Sequence, residues 1–329
     1  MECRRITTRD EVYKGINLWN EINPSFYIIP RLVEQNIFSP FVGVNVDTWG
    51  IFEGDNLITF MLTKHLTMPI SKKCKTDQGW VSLLVVNKKI PNAVSIVDKL
   101  FKLVEEDFKK NGIKEVHFGG DPQNFLSGLP SSLEGDYLSL LEKSGFRKHV
   151  VVYDLYQNIS KFKISQKINE EVLLKEKDLN LRIETATQKT SPFLLKFLEK
   201  NFPERWYFEA ENIGRISGGS GGIEDYWLLW DSDDIVGFAR TNTFKSSYLG
   251  PNINWCFKWQ KDSLGLGPIG IADNCRGKGY GIYLMVNIIQ YFQQKSYKHM
   301  VIDWTDLVDY YKKIGFEPWI KYIMLEKKL

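Results

Sequence analysis

Apolar positions at Val94, Val97, Leu100, Phe101, Val104 and Phe108 fall three or four residues apart, a spacing that predicts an amphipathic helix over residues 93–111. An apolar run at 80–86 ahead of it and Val116-His117-Phe118 behind it predict two strands. The succession returns later in the chain, with a β-like apolar run at 264–271, an amphipathic helix at 282–294 and the strand Met300-Val301-Ile302-Asp303-Trp304. Each copy closes on Gly-Phe, in Leu141-Glu142-Lys143-Ser144-Gly145-Phe146 and Tyr311-Lys312-Lys313-Ile314-Gly315-Phe316, and a β-rich run follows at 150–156 and 322–325. A diverged repeat of one fold is the reading. Ahead of the second copy the pattern predicts a strand at 181–186, a helix at 193–202 and a hairpin of 226–230 with 235–241 across Asp231-Ser232-Asp233-Asp234.

Between the halves, 158–180 is rich in Lys, Glu, Asn and Gln, with a short linking helix expected at 170–175. The expected division is a domain at 1–160, a linker at 161–180 and a domain at 181–329. Residues 119–135 have no counterpart in the second half and read as a loop that borders the other domain's substrate cleft.

The 329 residues, 43% hydrophobic and 14% aromatic, suffice for two cores. No stretch approaches the roughly 18 apolar residues of a membrane span, and Met1-Glu2-Cys3-Arg4-Arg5 lacks the apolar core of a signal peptide. A cytoplasmic protein with no membrane partner is expected. Cys3, Cys74, Cys256 and Cys275 form no Cys-x-x-Cys pair, which points to reduced thiols and no metal site. A net charge of +3, with Lys and Arg alternating with acids as in 102–114, implies no nucleic-acid partner.

Between the 264–271 strand and the helix after it stands Arg276-Gly277-Lys278-Gly279-Tyr280-Gly281. Strand, glycine turn and helix in that order make a phosphate cradle: no Cβ blocks the anion, and the first helical N–H groups lack internal partners. The alternative is a surface turn capping a helix. The Walker pattern is absent, and the dinucleotide fingerprint fails because Leu284 stands where its last glycine would fall. The run does resemble the R/Q-x-x-G-x-G/A pyrophosphate loop of the GNAT family of N-acetyltransferases, and Tyr311-Lys312-Lys313-Ile314-Gly315-Phe316 resembles that family's Tyr-x-x-x-Gly-Phe.

The resemblance implies an α/β fold (an α+β mixed sheet) in two tandem GNAT-like domains, each a twisted mixed sheet flanked by helices. It implies acetyl-CoA as cosubstrate and a small-molecule or peptide amine as acceptor, in a monomer or homodimer. The N–H groups of Arg276, Gly277, Lys278, Gly279, Tyr280 and Gly281 would hold the pyrophosphate. Ile269-Gly270-Ile271 would run beside the pantetheine arm, and Tyr311 would protonate the departing thiolate. Asp303 and Asp306 are candidate bases by position, with Glu224 and Asp225 as rivals. His299 reads as a surface imidazole, 218–222 as a mobile loop, and Pro268 as the mark of a bulge or of a strand beginning at Ile269. In the first half Pro91 stands where the cradle has Gly279 and Leu141 where the second half has Tyr311, so that copy is expected to have lost coenzyme binding. The readings kept beside the enzyme are a non-catalytic acyl-CoA-binding regulator or scaffold, a Fem-type aminoacyl transferase and a nucleotide-binding module.

Overall fold

The computed structural model describes every residue except 71–74, 88–92, 179 and 217–221. The chain runs β1 (Glu2–Ile6), α1 (Arg9–Ile22), α2 (Pro30–Val33), β2 (Val44–Glu53), β3 (Asn56–Leu66) and β4 (Gln78–Val86). Next come α3 (Ala93–Lys110), β5 (Glu115–Phe118), β6 (Leu129–Pro130), α4 (Glu134–Lys143) and β7 (Arg147–Asn158). After α5 (Gln166–Glu176) follow β8 (Leu181–Thr185), α6 (Ser191–Asn201), α7 (Arg205–Ile216), β9 (Tyr226–Asp231) and β10 (Asp234–Asn242). The last elements are β11 (Ser263–Ile271), α8 (Tyr280–Gln294), β12 (His299–Thr305), α9 (Val308–Lys312) and β13 (Glu317–Lys328). The expected turn at 88–93 with Pro91, most of the 218–222 run and Cys74 lie outside the described residues.

Two compact units result, Met1–Val152 with Ile320–Leu329, and Tyr153–Trp319. This differs from the expected division at 160 and 180. The last ten residues belong with the first unit, and the 161–180 segment forms α5 inside the second. In the first unit the strand order is β1-β2-β3-β4-β5-β13, and in the second β8-β9-β10-β11-β12-β7. Each is a mixed sheet with one parallel pair, β4 with β5 and β11 with β12. The closing strands come from the opposite half of the sequence: β13 pairs β5 through Leu325↔Phe118, and β7 pairs β12 through Leu155↔Ile302.

Local chemistry accounts for the ends of the elements. Thr8 caps α1 by accepting from Glu11 N, and Ser165 caps α5 by accepting from Ile168 N. Residues 119–128 form a loop, as expected, and the loop is buried. Phe125 and Leu126 are buried, Gly119 N donates to Val81 O of β4 at 2.9 Å, and Lys64 is buried against Asp121 at 3.0 Å. Enough apolar side chains stand in that segment to carry it inward, and its buried charge is paired.

The second core joins Leu228, Phe238, Leu264, Leu284, Ile288, Met300 and Phe316. Gly270 of β11 is part of that packing, because a Cβ there would stand 2.6 Å from the Phe202 ring and 2.7 Å from Phe238. Gly270→Ala should therefore cost about 1–3 kcal/mol of stability by overpacking. Urea unfolding checks this, and an unchanged midpoint would show that the two rings move aside freely.

Burial holds His65, His117 and His299 below the usual imidazole range. The folded state favours the neutral rings, so their contribution is fully present above the unfolded value of about 6.5. As pH falls through it the unfolded chain takes up protons first, and stability is lost. The melting temperature should drop between pH 7.5 and 5.5, and drop less in His299→Gln. An equal drop in both proteins would remove His299 from the account.

Candidate functional site

Ladder pairing between β11 and β12 covers Ser263↔His299, Leu264↔Met300 and Gly265↔Val301, and goes no further. On the other side β11 pairs β10 through Leu266↔Thr241 and Ile269↔Ala239, so Gly267 and Pro268 oppose the single residue Arg240. That is a β-bulge. The strands diverge past Gly265, and the backbone of residues 267–271 has no strand partner on the β12 side. Ile269, Gly270 and Ile271 lie along this unpaired side of β11.

Just beyond the gap, Gly277 and Gly279 take φ of 77° and 79°, the left-handed region where a Cβ is penalised, and Tyr280 opens α8. A Cβ at Gly277 would meet nothing within 4 Å, which is the open space a ligand oxygen needs. Gly281 is small for another reason: a Cβ there would stand 2.4 Å from the Tyr310 hydroxyl, so its absence lets α9 approach the first turn of α8. The Tyr280 hydroxyl donates to Asp231 Oδ2 at 2.8 Å, and burial followed by that bond pushes its pKa up to about 12. Its side chain is a structural anchor, which leaves its N–H for the turn.

Charge at the turn comes from more residues than the motif holds. Arg276 is exposed, donates through Nε to Ile271 O at 3.3 Å and pairs with Asp273 at 2.8 Å, which offsets part of its charge. Lys278 and Lys175 both lie over the Tyr280 ring, at 6.0 and 4.9 Å from its centroid. The Cε of Lys175 is 3.9 Å from where a Cβ on Gly279 would stand. Lys175 belongs to α5, in the segment read as a linker. Its signal in the sequence was weak, one lysine among many on a polar helix.

Tyr311 is buried on α9, with its ring 5.2 Å from Tyr310 and 6.3 Å from Phe316. Burial, and then Tyr310, Asp303 and Asp306, push its pKa upward, so both carboxylates are close enough to act on the phenol. Asp303 is half-buried, and its Oδ1 lies 3.6 Å from where a Cβ on Gly267 would stand, beside the bulge. Asp306 is exposed. Glu224 is exposed in a 3-10 turn, and Asp225 acts on the buried Arg240 and Tyr226. His299 is no surface imidazole. It is half-buried at the paired end of β12, takes a 2.8 Å hydrogen bond with the Tyr156 hydroxyl and stacks on Trp259 at 4.6 Å.

Several residues that shape the gap were missed in the sequence. Asn252, on a 3-10 turn, donates to Gly267 O at 3.0 Å and accepts from Asn242 at 3.0 Å, which fixes the bulge. Trp304 sits at φ 46° with its N–H on Asp154 Oδ1 at 3.1 Å, and the Arg205 guanidinium lies 4.6 Å from its ring centroid. Buried Arg240 is held by Glu209 of α7 at 2.6 Å and by Tyr248 O at 2.7 Å.

Residues 187–316 match the acetyltransferase (GNAT) family. The match runs from just after β8 through α9. No curated protein matches the sequence. Among solved structures, a GCN5-related glucosamine N-acetyltransferase region in a fungal multi-domain GH3 β-N-acetylglucosaminidase superposes with a TM-score of 0.85 at 17% identity. It covers 99% of this chain, which spans 38% of that protein's length. A tandem GNAT protein from the clavulanic acid biosynthesis pathway gives 0.66 at 10% identity over 99% of this chain and 98% of its own. A GCN5-related N-acetyltransferase from Sphaerobacter thermophilus gives 0.56 at 12% identity, over 85% and 80%. At these identities the likeness is one of fold, and it extends over both GNAT-like halves.

Proposed function

We propose that the second unit is an acetyl-CoA-dependent N-acetyltransferase acting on a primary amine. The observation that carries the reading is the strand gap, with a left-handed glycine turn beyond one end and Tyr311 and Asp303 beside it. The turn fits a pyrophosphate, because Gly277 leaves open space and the first turn of α8 presents unpartnered N–H groups. Gly277 to Gly281, Arg276, Lys278 and Lys175 would hold it. Bound there, acetyl-CoA supplies an acetyl thioester.

The residues of the chain divide the remaining work. Peptide N–H groups of 269–271 on the β12 side, away from their ladder with β10, serve as donors to an oxygen that gains negative charge. The phenol of Tyr311, kept neutral, gives up its proton at the phenolic oxygen to a departing thiolate. Asp303 takes a proton from an ammonium acceptor at its carboxylate, leaving a neutral amine.

Amino sugars head the list of acceptors to test, since a structural relative is described as a glucosamine N-acetyltransferase region. The first unit is proposed to have lost coenzyme binding: after β5 the chain stays bonded to β4 through Gly119 and then buries Phe125 and Leu126. Thiol release from acetyl-CoA with glucosamine, amino acids and peptide N-termini tests the function. Saturable coenzyme binding with no release on any amine would favour a non-catalytic acyl-CoA-binding protein instead.

A further inference from the structure

Beyond Gly265↔Val301, where β11 and β12 stop pairing, each strand carries a bulge in the ladder with its other neighbour. On β11 the bulge is Gly267 and Pro268 against Arg240. On β12 the ladder with β7 runs through Val301↔Tyr156 and Ile302↔Leu155 and resumes at Thr305↔Tyr153, so Asp303 and Trp304 stand against the single residue Asp154. The two bulges lie level, each starting two residues past the last shared rung. Asp303 Oδ1 comes 3.6 Å from where a Cβ on Gly267 would stand, so the β12 bulge delivers its carboxylate to the β11 bulge.

The β12 bulge is held under strain. Trp304 takes φ 46°, a left-handed value that is an outlier for a bulky side chain. Such a backbone persists only where its surroundings over-determine it, and conformations of this kind cluster where a site needs a group aimed. Asp154 Oδ1 accepts the Trp304 N–H at 3.1 Å, and the Arg205 guanidinium of α7 lies 4.6 Å from the Trp304 ring centroid. Asp154 is 2% exposed, which shelters the bond from water. It stands on β7, outside the residues 187–316 that match the family, so the strand that closes this sheet supplies it.

We propose that Asp154 is a positioning residue: through the Trp304 N–H it holds the β12 bulge in the backbone arrangement that sets the Asp303 carboxylate at the strand gap. It acts through Asp303. The catalytic consequence rests on the acetyltransferase reading, in which Asp303 takes the proton of the acceptor ammonium, whereas the backbone arrangement stands apart from any reaction.

Crystal structures of the parent, Asp154→Ala and Asp154→Asn, with kinetics on the same full-length proteins, test this. In Asp154→Ala the Trp304 N–H loses its acceptor, so residue 304 should relax to a negative φ and Asp303 should leave Gly267. Asp154→Asn keeps an accepting oxygen and should hold both in place. An unmoved Asp303 in the alanine variant would overturn the proposal, and so would a displaced Asp303 in the asparagine variant with its bond to Trp304 intact. In turnover, kcat should fall about tenfold to 100-fold in Asp154→Ala, with acetyl-CoA affinity unchanged, and fall less in Asp154→Asn. A general loss of structure would lower kcat in every background, so the double variant decides: Asp154→Ala should cost little more in the Asp303→Asn background. Losses that multiply would overturn positioning through Asp303. If Asp303→Asn itself keeps the parent rate, the base assignment falls and the catalytic consequence with it, while the crystal structures still decide whether Asp154 sets this backbone.

Discussion

Gly279→Pro is expected to weaken acetyl-CoA binding by more than about 100-fold and to lower the melting temperature, because the φ of 79° at this position is closed to proline. Two losses add. Proline has no N–H, which removes one charge-assisted hydrogen bond of about 1.5–3 kcal/mol. Its ring also fixes φ near −65°, whereas residue 279 sits at 79°, so the turn itself must change hand and the neighbouring N–H groups lose their aim. Gly279→Ala separates the terms, since it keeps the N–H and incurs only the left-handed penalty of about 1–2 kcal/mol, or roughly a tenfold weakening. Calorimetry with stoichiometry per chain measures both. One site, weakened in that order, is the expected result, and an unchanged affinity in the proline variant would take the coenzyme away from this turn. Two sites in the parent would show that the first unit also binds.

The turn was legible in the sequence because its geometry is local. Glycines at 277 and 279 between a strand and a helix specify left-handed φ values and a helix N-terminus without a side-chain cap, with little help from the rest of the chain. Pro268 was legible as a bulge for a similar reason: a residue that cannot donate to a ladder marks the irregularity wherever the partner lies.

What escaped is what depends on distant partners. The runs at 150–156 and 322–325 both read as strands, but alternation tells a strand's faces and not its neighbour, so the pattern left open that β13 closes the first unit and β7 the second. Lys175 had no motif to announce it, and only the packing of α5 on α8 brings it to the turn. Asn252 reads as a loop residue until its amide is seen holding Gly267. Residues 119–130 carry Gly and Pro, which signal a turn, while Phe125 and Leu126 decide that the turn goes inward.

Tyr311→Phe should lower kcat by about 10²–10⁴-fold with the acetyl-CoA affinity unchanged, the range general acid catalysis supplies. The variant keeps the ring and its contacts with Tyr310 and Phe316 and removes only the hydroxyl, so packing is not perturbed. The pH profile distinguishes a proton donor from a positioning group. Burial, with Asp303 and Asp306 nearby, holds the phenol above the ordinary value of about 10, so it remains protonated throughout the assay range. The parent rate should then show no alkaline fall up to about pH 10 from this group, and its rise from acid pH belongs to the base and the amine. Asp303→Asn should remove that acidic limb where Tyr311→Phe leaves it in place. The same upward shift fixes the sign for stability: the folded state favours neutral Tyr311, so its contribution is complete below about pH 10 and is lost as pH rises beyond the unfolded value. Alkaline unfolding should accordingly begin later in Tyr311→Phe than in the parent. If kcat is undiminished in the variant, the thiolate takes its proton elsewhere, and the conjunction of Tyr311 with the strand gap is packing alone.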